Sequence, residues 1–176
     1  MDIHKENLDL NLGCGRRVLP GWFNIDIQRS PKAPRDPEML SDVKKIALPD
    51  GCARTIMAIH LWEHFYRWEC DEIIVEWKRL LKSGGRLILE MPDLFKFCKN
   101  ILEGKDSRTV ENLGMWGLYG NPNEKDRYMC HHWGWTFDTI KPFLEQYGFT
   151  DIVSAPTFYH KCGRLNRDFR VEAIRP

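Results

Sequence analysis

Leucines at positions 8, 10 and 12 alternate with polar residues and stop at Gly13-Cys14-Gly15. That pattern predicts a strand running into a tight loop. A second strand fits Trp22 to Ile27 and places Asp26 at its end, and a short third strand is expected in Glu38 to Val43. Thr55 to His60 (TIMAIH) is a nearly continuous apolar run, as in a strand buried on both faces. In Asp71 to Leu81 the residues Ile73, Ile74, Trp77, Leu80 and Leu81 form one apolar stripe of a helix. Lys78, Arg79 and Lys82 suit the negative end of its dipole, and Ser83-Gly84-Gly85 supplies a stop.

Arg86 to Met91 reads as another buried strand ended by Pro92, and Asp93 to Leu102 as a helix. Periodicity then vanishes from Gly104 to Cys130, as in a lid or binding loop. Ile140, Phe143, Leu144 and Tyr147 restore helical spacing. Pro142 is tolerated only in a first turn, so Thr139 is the expected N-cap. Phe149 to Ala155 and Asp168 to Ile174 complete the strands. Strands alternating with helices imply a mostly parallel sheet whose ligands sit beyond the strands' carboxyl ends.

Composition narrows the function classes. The 176 residues suffice for a single domain, 1–176, with a core. The formal net charge of +1 provides no global field to recruit nucleic acid or anionic membrane. No apolar run reaches the ~20 residues of a membrane span, and no leader pattern is present, so a cytoplasmic setting is expected. The six cysteines include no Cys-x-x-Cys pair and read as reduced thiols. Cys130, His131, His132, His160 and Cys162 are metal-ligand types, but their spacing frames no familiar site, and no metal is expected.

The chemistry concentrates in LNLGCG (residues 10–15) and the strand ending at Asp26. Glycines after a strand let a ligand approach the backbone, and a carboxylate on the next strand can accept bonds from a ribose diol. Taken in order, LNLGCG, NIDI, LPDGCARTIMAIHLWEHF and LLKSGGRLILEMPD resemble the class I S-adenosylmethionine-dependent methyltransferases over nearly the whole chain. The closest resemblance is to short methyltransferases associated with cell-envelope polysaccharide synthesis, whose C-terminal half HHWGWT and RDFRVEAIRP resemble.

The resemblance implies a Rossmann-like α/β fold: a mostly parallel seven-stranded sheet with an antiparallel last strand. It also implies S-adenosylmethionine as cofactor. Carried over by position, it sets the Gly13, Cys14 and Gly15 backbone against the cofactor's amino-acid part. Asp26 would take the ribose hydroxyls with Ile27 beside it, Asp42 the adenine amino group, Val43 the adenine ring and His60 the methionine end. Two departures stand out. Arg17 replaces the third glycine of the first motif, and too few residues separate Gly15 from the second strand for a normal crossover helix. The first helix is therefore expected to be short or missing.

The methyl group resides on the cofactor, so the protein supplies binding and geometry. His64 and His131 are the candidate catalytic bases for a hydroxyl acceptor, with His132 facing solvent. Glu63-His64 is also similar to a segment with which ubiquinone-pathway O-methyltransferases help hold a divalent metal. There a further acid precedes the pair, and here His60 takes its place, so metal assistance is not expected. Trp116, Tyr119, Tyr128, Trp133 and Trp135 cluster about residues 104–135, a lid or substrate-binding insertion. Stacking on sugars is one use for them, and at least half are expected to fill a small core beneath the loop. Lys161, Arg164, Arg167 and Arg170 could meet a phosphate, as in a sugar nucleotide, or form a solvated surface. The acceptor is thus read as a small molecule, a sugar or sugar nucleotide. The alternatives are a nucleic-acid methyltransferase, which lacks its Asn/Asp-Pro-Pro-aromatic tetrapeptide here, and a non-catalytic module that binds the cofactor.

Overall fold

The computed structural model describes residues 6–104, 113–158 and 167–176. A seven-stranded sheet of order β3-β2-β1-β4-β5-β7-β6 forms its centre. The strands are β1 (Leu8–Leu12), β2 (Phe23–Asp26), β3 (Met39–Leu40), β4 (Ala53–Ile59), β5 (Leu81–Pro92), β6 (Thr150–Ala155) and β7 (Asp168–Ile174). The first five are mutually parallel, and β7 runs antiparallel to both β5 and β6. Leu10, Leu12, Ile25, Ile56, Ala58 and Leu89 are wholly buried, and burial on both faces explains why β4 and β5 read as apolar runs rather than strict alternations.

Helix α1 (Cys70–Leu80) covers one face with Ile73, Ile74, Trp77 and Leu80, all fully buried. Its Trp77 indole stays satisfied by donating to the Val43 carbonyl at 2.9 Å. The helix ends at Leu80, one residue before the expected Leu81 and ahead of Ser83-Gly84-Gly85. Leu81 is already extended (ψ 139°) and pairs with Ala53, and the register then slips so that Thr55 faces Arg86. Sheet pairing thus ends the helix before the glycines.

Helix α2 (Leu94–Leu102) starts at Asp93, whose carboxylate accepts from the Phe95 and Lys96 amides at 3.1 and 3.4 Å. Helix α3 (Leu113–Tyr119) lies within the stretch read as irregular. Two short 3-10 turns follow it, at Pro122–Glu124 and Arg127–Met129. Helix α4 (Phe137–Gln146) is capped by Thr136 rather than Thr139: Thr139 occupies the third position and completes a reciprocal capping box. Pro142 therefore lies inside the helix. Its ring removes the amide that would bond the Asp138 carbonyl, and both residues are exposed, so water can take that carbonyl.

No helix links β1 to β2. Residues 13–22 form an irregular loop held from below by two buried amides, Asn11 and Asn24. Asn24 Oδ1 accepts from the Leu19 amide at 2.7 Å and from Asn11 Nδ2 at 2.8 Å. Asn24 Nδ2 donates to the Leu19 and Trp22 carbonyls, and Asn11 Nδ2 to the Arg17 carbonyl. Glu38 accepts from both the Asn24 backbone and side chain at 2.8 Å. Burial opposes the Glu38 charge, but hydrogen bonds from Arg35 and Asn24 outweigh it and hold its carboxyl below the ordinary value. Side chains thereby do for this loop what i to i−4 bonds would do for a helix.

Candidate functional site

At the carboxyl ends of β1 and β2, Gly13 and Gly15 adopt left-handed backbone (φ 62° and 50°). That turn folds the loop over the tip of β2, where the Gly15 amide donates to Asp26 Oδ2 at 2.7 Å. The other oxygen accepts from the Gln28 amide at 3.2 Å. Each carboxylate oxygen keeps a second lone pair for a ligand. A Cβ at Gly15 would meet nothing within 4 Å, whereas one at Gly13 would meet Leu61 Cδ1 at 2.6 Å. The glycine bend and the carboxylate thus share one place. Ile27, half exposed, follows Asp26. Asp42 is exposed one connection further, its Oδ1 accepting from the Lys44 amide at 2.9 Å. Val43 packs into the core at 6% exposure. Cys14 is buried too, and burial together with the Asp26 charge pushes its thiol up to about 12, so it contributes backbone rather than a nucleophile.

Beyond β4 the chain turns sharply through His60, a non-glycine with φ 51°. Such backbone strain of ~1–2 kcal/mol persists only where surrounding contacts over-determine it. Here the imidazole is fixed between two buried carboxylates, with Nδ1 2.9 Å from Glu63 Oε1 and Nε2 3.4 Å from Asp168 Oδ2. Burial disfavours the charged ring, but the hydrogen bonds and charges of Asp168 and Glu63 win and lift its pKa to about 10. His60 is therefore a cation joining β4 to the start of β7. Glu63 is 2% exposed. Its burial opposes ionisation, yet the neighbouring histidines hold its carboxyl below the ordinary value.

His64 and His131 converge on the same spot from distant segments. The strap from Cys130 to Trp135 is pinned to the site: the His132 amide donates to the Glu63 carbonyl at 2.8 Å, and Leu94 N to Trp135 O at 2.9 Å. His131 Nδ1 bonds the Gly117 carbonyl at 2.8 Å, and His64 Nδ1 the Cys130 carbonyl at 3.0 Å. The two rings meet edge to face, centroids 4.9 Å apart. Burial, the largest influence, keeps His131 below its ordinary pKa. α3 reaches His131 only because Gly117 lacks a side chain, since a Cβ there would lie 2.3 Å from the Phe97 ring.

Beside the pair, Met115, Trp116, Tyr119, Lys125, Arg127 and Cys130 line a cavity of about 510 Å³, within the usual range for small-molecule sites. The aromatics depart from expectation. Trp135 is buried at 3%, but Tyr119, Tyr128 and Trp133 are 65%, 52% and 46% exposed, so most do not fill a satellite core. His132 stacks on Tyr66 at 4.1 Å rather than standing free in solvent. Arg170 pairs with Glu172 at 2.5 Å and Arg167 lies 3.6 Å from Asp168, while Lys161, Arg164, His160 and Cys162 lie outside the described residues. The described cysteines are free thiols. Sequence reasoning missed the anchoring roles of Glu63, Asp168 and the Asn11–Asn24 pair. A buried polar residue inside an apolar strand, such as Asn24, was their one legible signal.

Comparison with known proteins bears on the fold. Residues 10–89 match a family model described as a methyltransferase domain. No curated protein matches the chain. Among solved structures it is similar to a SAM-dependent methyltransferase from Archaeoglobus fulgidus, at 16% identity over 96% of this chain and 86% of that one, TM-score 0.65. A SAM-dependent methyltransferase from Methanosarcina mazei is similar at 14% identity, over 98% and 94% of the two chains, TM-score 0.64. Human N-acetylserotonin methyltransferase in complex with SAM is similar at 14% identity, over 99% of this chain and 49% of that one, TM-score 0.58. At such identities the likeness is one of fold, and the fold is the Rossmann-like methyltransferase fold with its first helix missing. The methyltransferase-domain match over residues 10–89 and the shared fold make S-adenosylmethionine the cofactor against which the residues present are tested. The residues fit it: open backbone at Gly15, a carboxylate with free lone pairs for a diol, and a second, exposed carboxylate for an amino group.

Proposed function

We propose that this chain is an O-directed S-adenosylmethionine-dependent methyltransferase acting on a hydroxyl of a sugar or sugar nucleotide, in cytoplasmic steps of polysaccharide synthesis. The observation that carries the cofactor half is the 2.7 Å bond from the Gly15 amide to Asp26, which joins the glycine bend to the carboxylate at the strand tips. Gly13, Cys14 and Gly15 would line the amino-acid part through their backbone, Asp26 and Ile27 the ribose, and Asp42 and Val43 the adenine. His60, held as a cation, would fix the methionine end through the shape of its strained turn. When bound, the cofactor supplies a methyl on a positively charged sulfur, and in-line geometry removes much of the remaining barrier.

His64 and His131 would activate the acceptor hydroxyl. Residues 104–135 would serve as the acceptor-binding insertion, with the cavity beside Cys130 receiving the substrate. Its Trp116 and Tyr119 suit the flat faces of a sugar, and Lys125 and Arg127 suit a phosphate. The test is transfer of labelled methyl to a panel of sugar nucleotides, amines and oligonucleotides. Label in a base-stable methyl ether on a sugar is the expected result, and label confined to amines or nucleic acid would refute the O-directed reading. His131→Ala should slow transfer by about 10²–10⁴ while leaving cofactor affinity unchanged.

A further inference from the structure

We propose that Glu63, His64 and His131 form a binding site for a divalent transition-metal cation. Three independent features converge on it. The ligand atoms these residues offer all lie within 4.8 Å of one another. Bonds of ~2.0–2.2 Å to zinc-like ions bring ligand atoms to about 3–3.5 Å apart, a contraction that side-chain rotation can supply.

The second feature is an orphaned charge. Glu63 is 2% exposed, its Oε1 is taken by His60 at 2.9 Å, and its Oε2 is buried without any hydrogen-bond partner. A buried carboxylate oxygen facing no donor is costly. A cation bound through that oxygen would remove that cost.

The third is the orientation of the rings. A carbonyl oxygen can only accept, so the bonds to Gly117 O and Cys130 O put the proton of each ring on Nδ1. Nε2 is thus the ring nitrogen each histidine has left for a ligand. Metal-bound histidines are oriented in this way, their second nitrogen donating to a backbone carbonyl. Glu63 is oriented likewise by His60, and His60 by Asp168. Two imidazole nitrogens and one carboxylate oxygen suit zinc, manganese, iron or cobalt rather than magnesium or calcium, which prefer all-oxygen sets. Three protein ligands leave a coordination position for another molecule.

Metal binding itself is independent of the proposed acceptor. Its consequence rests on the methyltransferase reading: a hydroxyl taking the remaining position would lose its proton to solvent more easily, so the two histidines would activate it together through the ion.

The test uses untagged full-length protein stripped with chelator, titrated calorimetrically with Zn²⁺, Co²⁺ and Mg²⁺. Saturable binding of Zn²⁺ and Co²⁺ near one ion per chain is expected, with visible Co²⁺ absorption of a nitrogen/oxygen set and far weaker Mg²⁺ binding. Glu63→Gln, His64→Ala and His131→Ala should each weaken Zn²⁺ by at least about tenfold, and His132→Ala should not. Calorimetry with S-adenosylmethionine on the same samples reports folding and separates the two readings. Intact cofactor binding without metal uptake, or Zn²⁺ affinity unchanged in His131→Ala, overturns the metal site alone. Should Glu63→Gln fail to fold, the histidine variants and the Co²⁺ spectrum decide.

Discussion

Asn24→Ala probes how the missing helix is replaced. Asn24 is wholly buried, and its amide serves the Leu19 N–H, the Leu19 and Trp22 carbonyls, Asn11 and Glu38. Leu19 and Trp22 are only partly buried, so water can take over their carbonyls at modest cost. The buried Asn11 side chain keeps its bond to the Arg17 carbonyl but loses Asn24, and the Leu19 amide loses its acceptor. Losing the bonds from the Leu19 amide and from the buried Asn11 side chain, at ~1–2 kcal/mol each, costs about 2–4 kcal/mol, a large share of a typical 5–15 kcal/mol domain stability. With a urea dependence of about 2 kcal/mol per molar, the unfolding midpoint should fall by about 1–2 M. Urea titration followed by far-UV circular dichroism measures it. A shift below about 0.3 M would refute the idea that the two amides replace helical hydrogen bonding in this loop.

Gly117→Ala should push α3 off Phe97 and shift the carbonyl that orients His131, so methyl transfer should drop about tenfold or more with unchanged cofactor affinity in paired kinetic and calorimetric runs. Thr136→Ala should cost about 1 kcal/mol in urea unfolding by removing the α4 cap, while an equal loss from Thr139→Ala alone would argue against the assigned cap position. Glu76 is held below its ordinary pKa of 4.5, chiefly by its hydrogen bond from Arg79. Its contribution is therefore present above pH 4.5 and lost as pH falls through its folded value. Wild type should lose stability on acidification there more steeply than Glu76→Gln, and parallel pH profiles would remove this pair from the acid response.

Much of the fold was legible because buried parallel strands and the α1 stripe impose strong periodicities on the sequence. The missing first helix was legible too, from the short interval between Gly15 and β2, although nothing there announced that Asn11 and Asn24 would take its place. α3 escaped because LGMWGLY carries two glycines in seven residues and shows little intrinsic helical preference; its contact with Phe97 is tertiary. The place of Pro142 points to Thr139 as the α4 cap, whereas the cap is Thr136 and Thr139 completes the capping box from the third position. The glycine bend and Asp26 could be read locally because they lie on consecutive strands. Glu63, His131 and Asp168 could not, because their meeting depends on the 130–135 strap bonding the Glu63 carbonyl and on β7 starting beside His60.

The most direct test of the cofactor pocket is calorimetric titration of wild type and Asp26→Ala with S-adenosylmethionine and its demethylated product. Micromolar binding to wild type is expected, weakened in the variant by at least ~1.5 kcal/mol, somewhat more than tenfold, from the charged hydrogen bonds removed. Equal affinity in both proteins, or no binding to the folded wild type, would contradict the account.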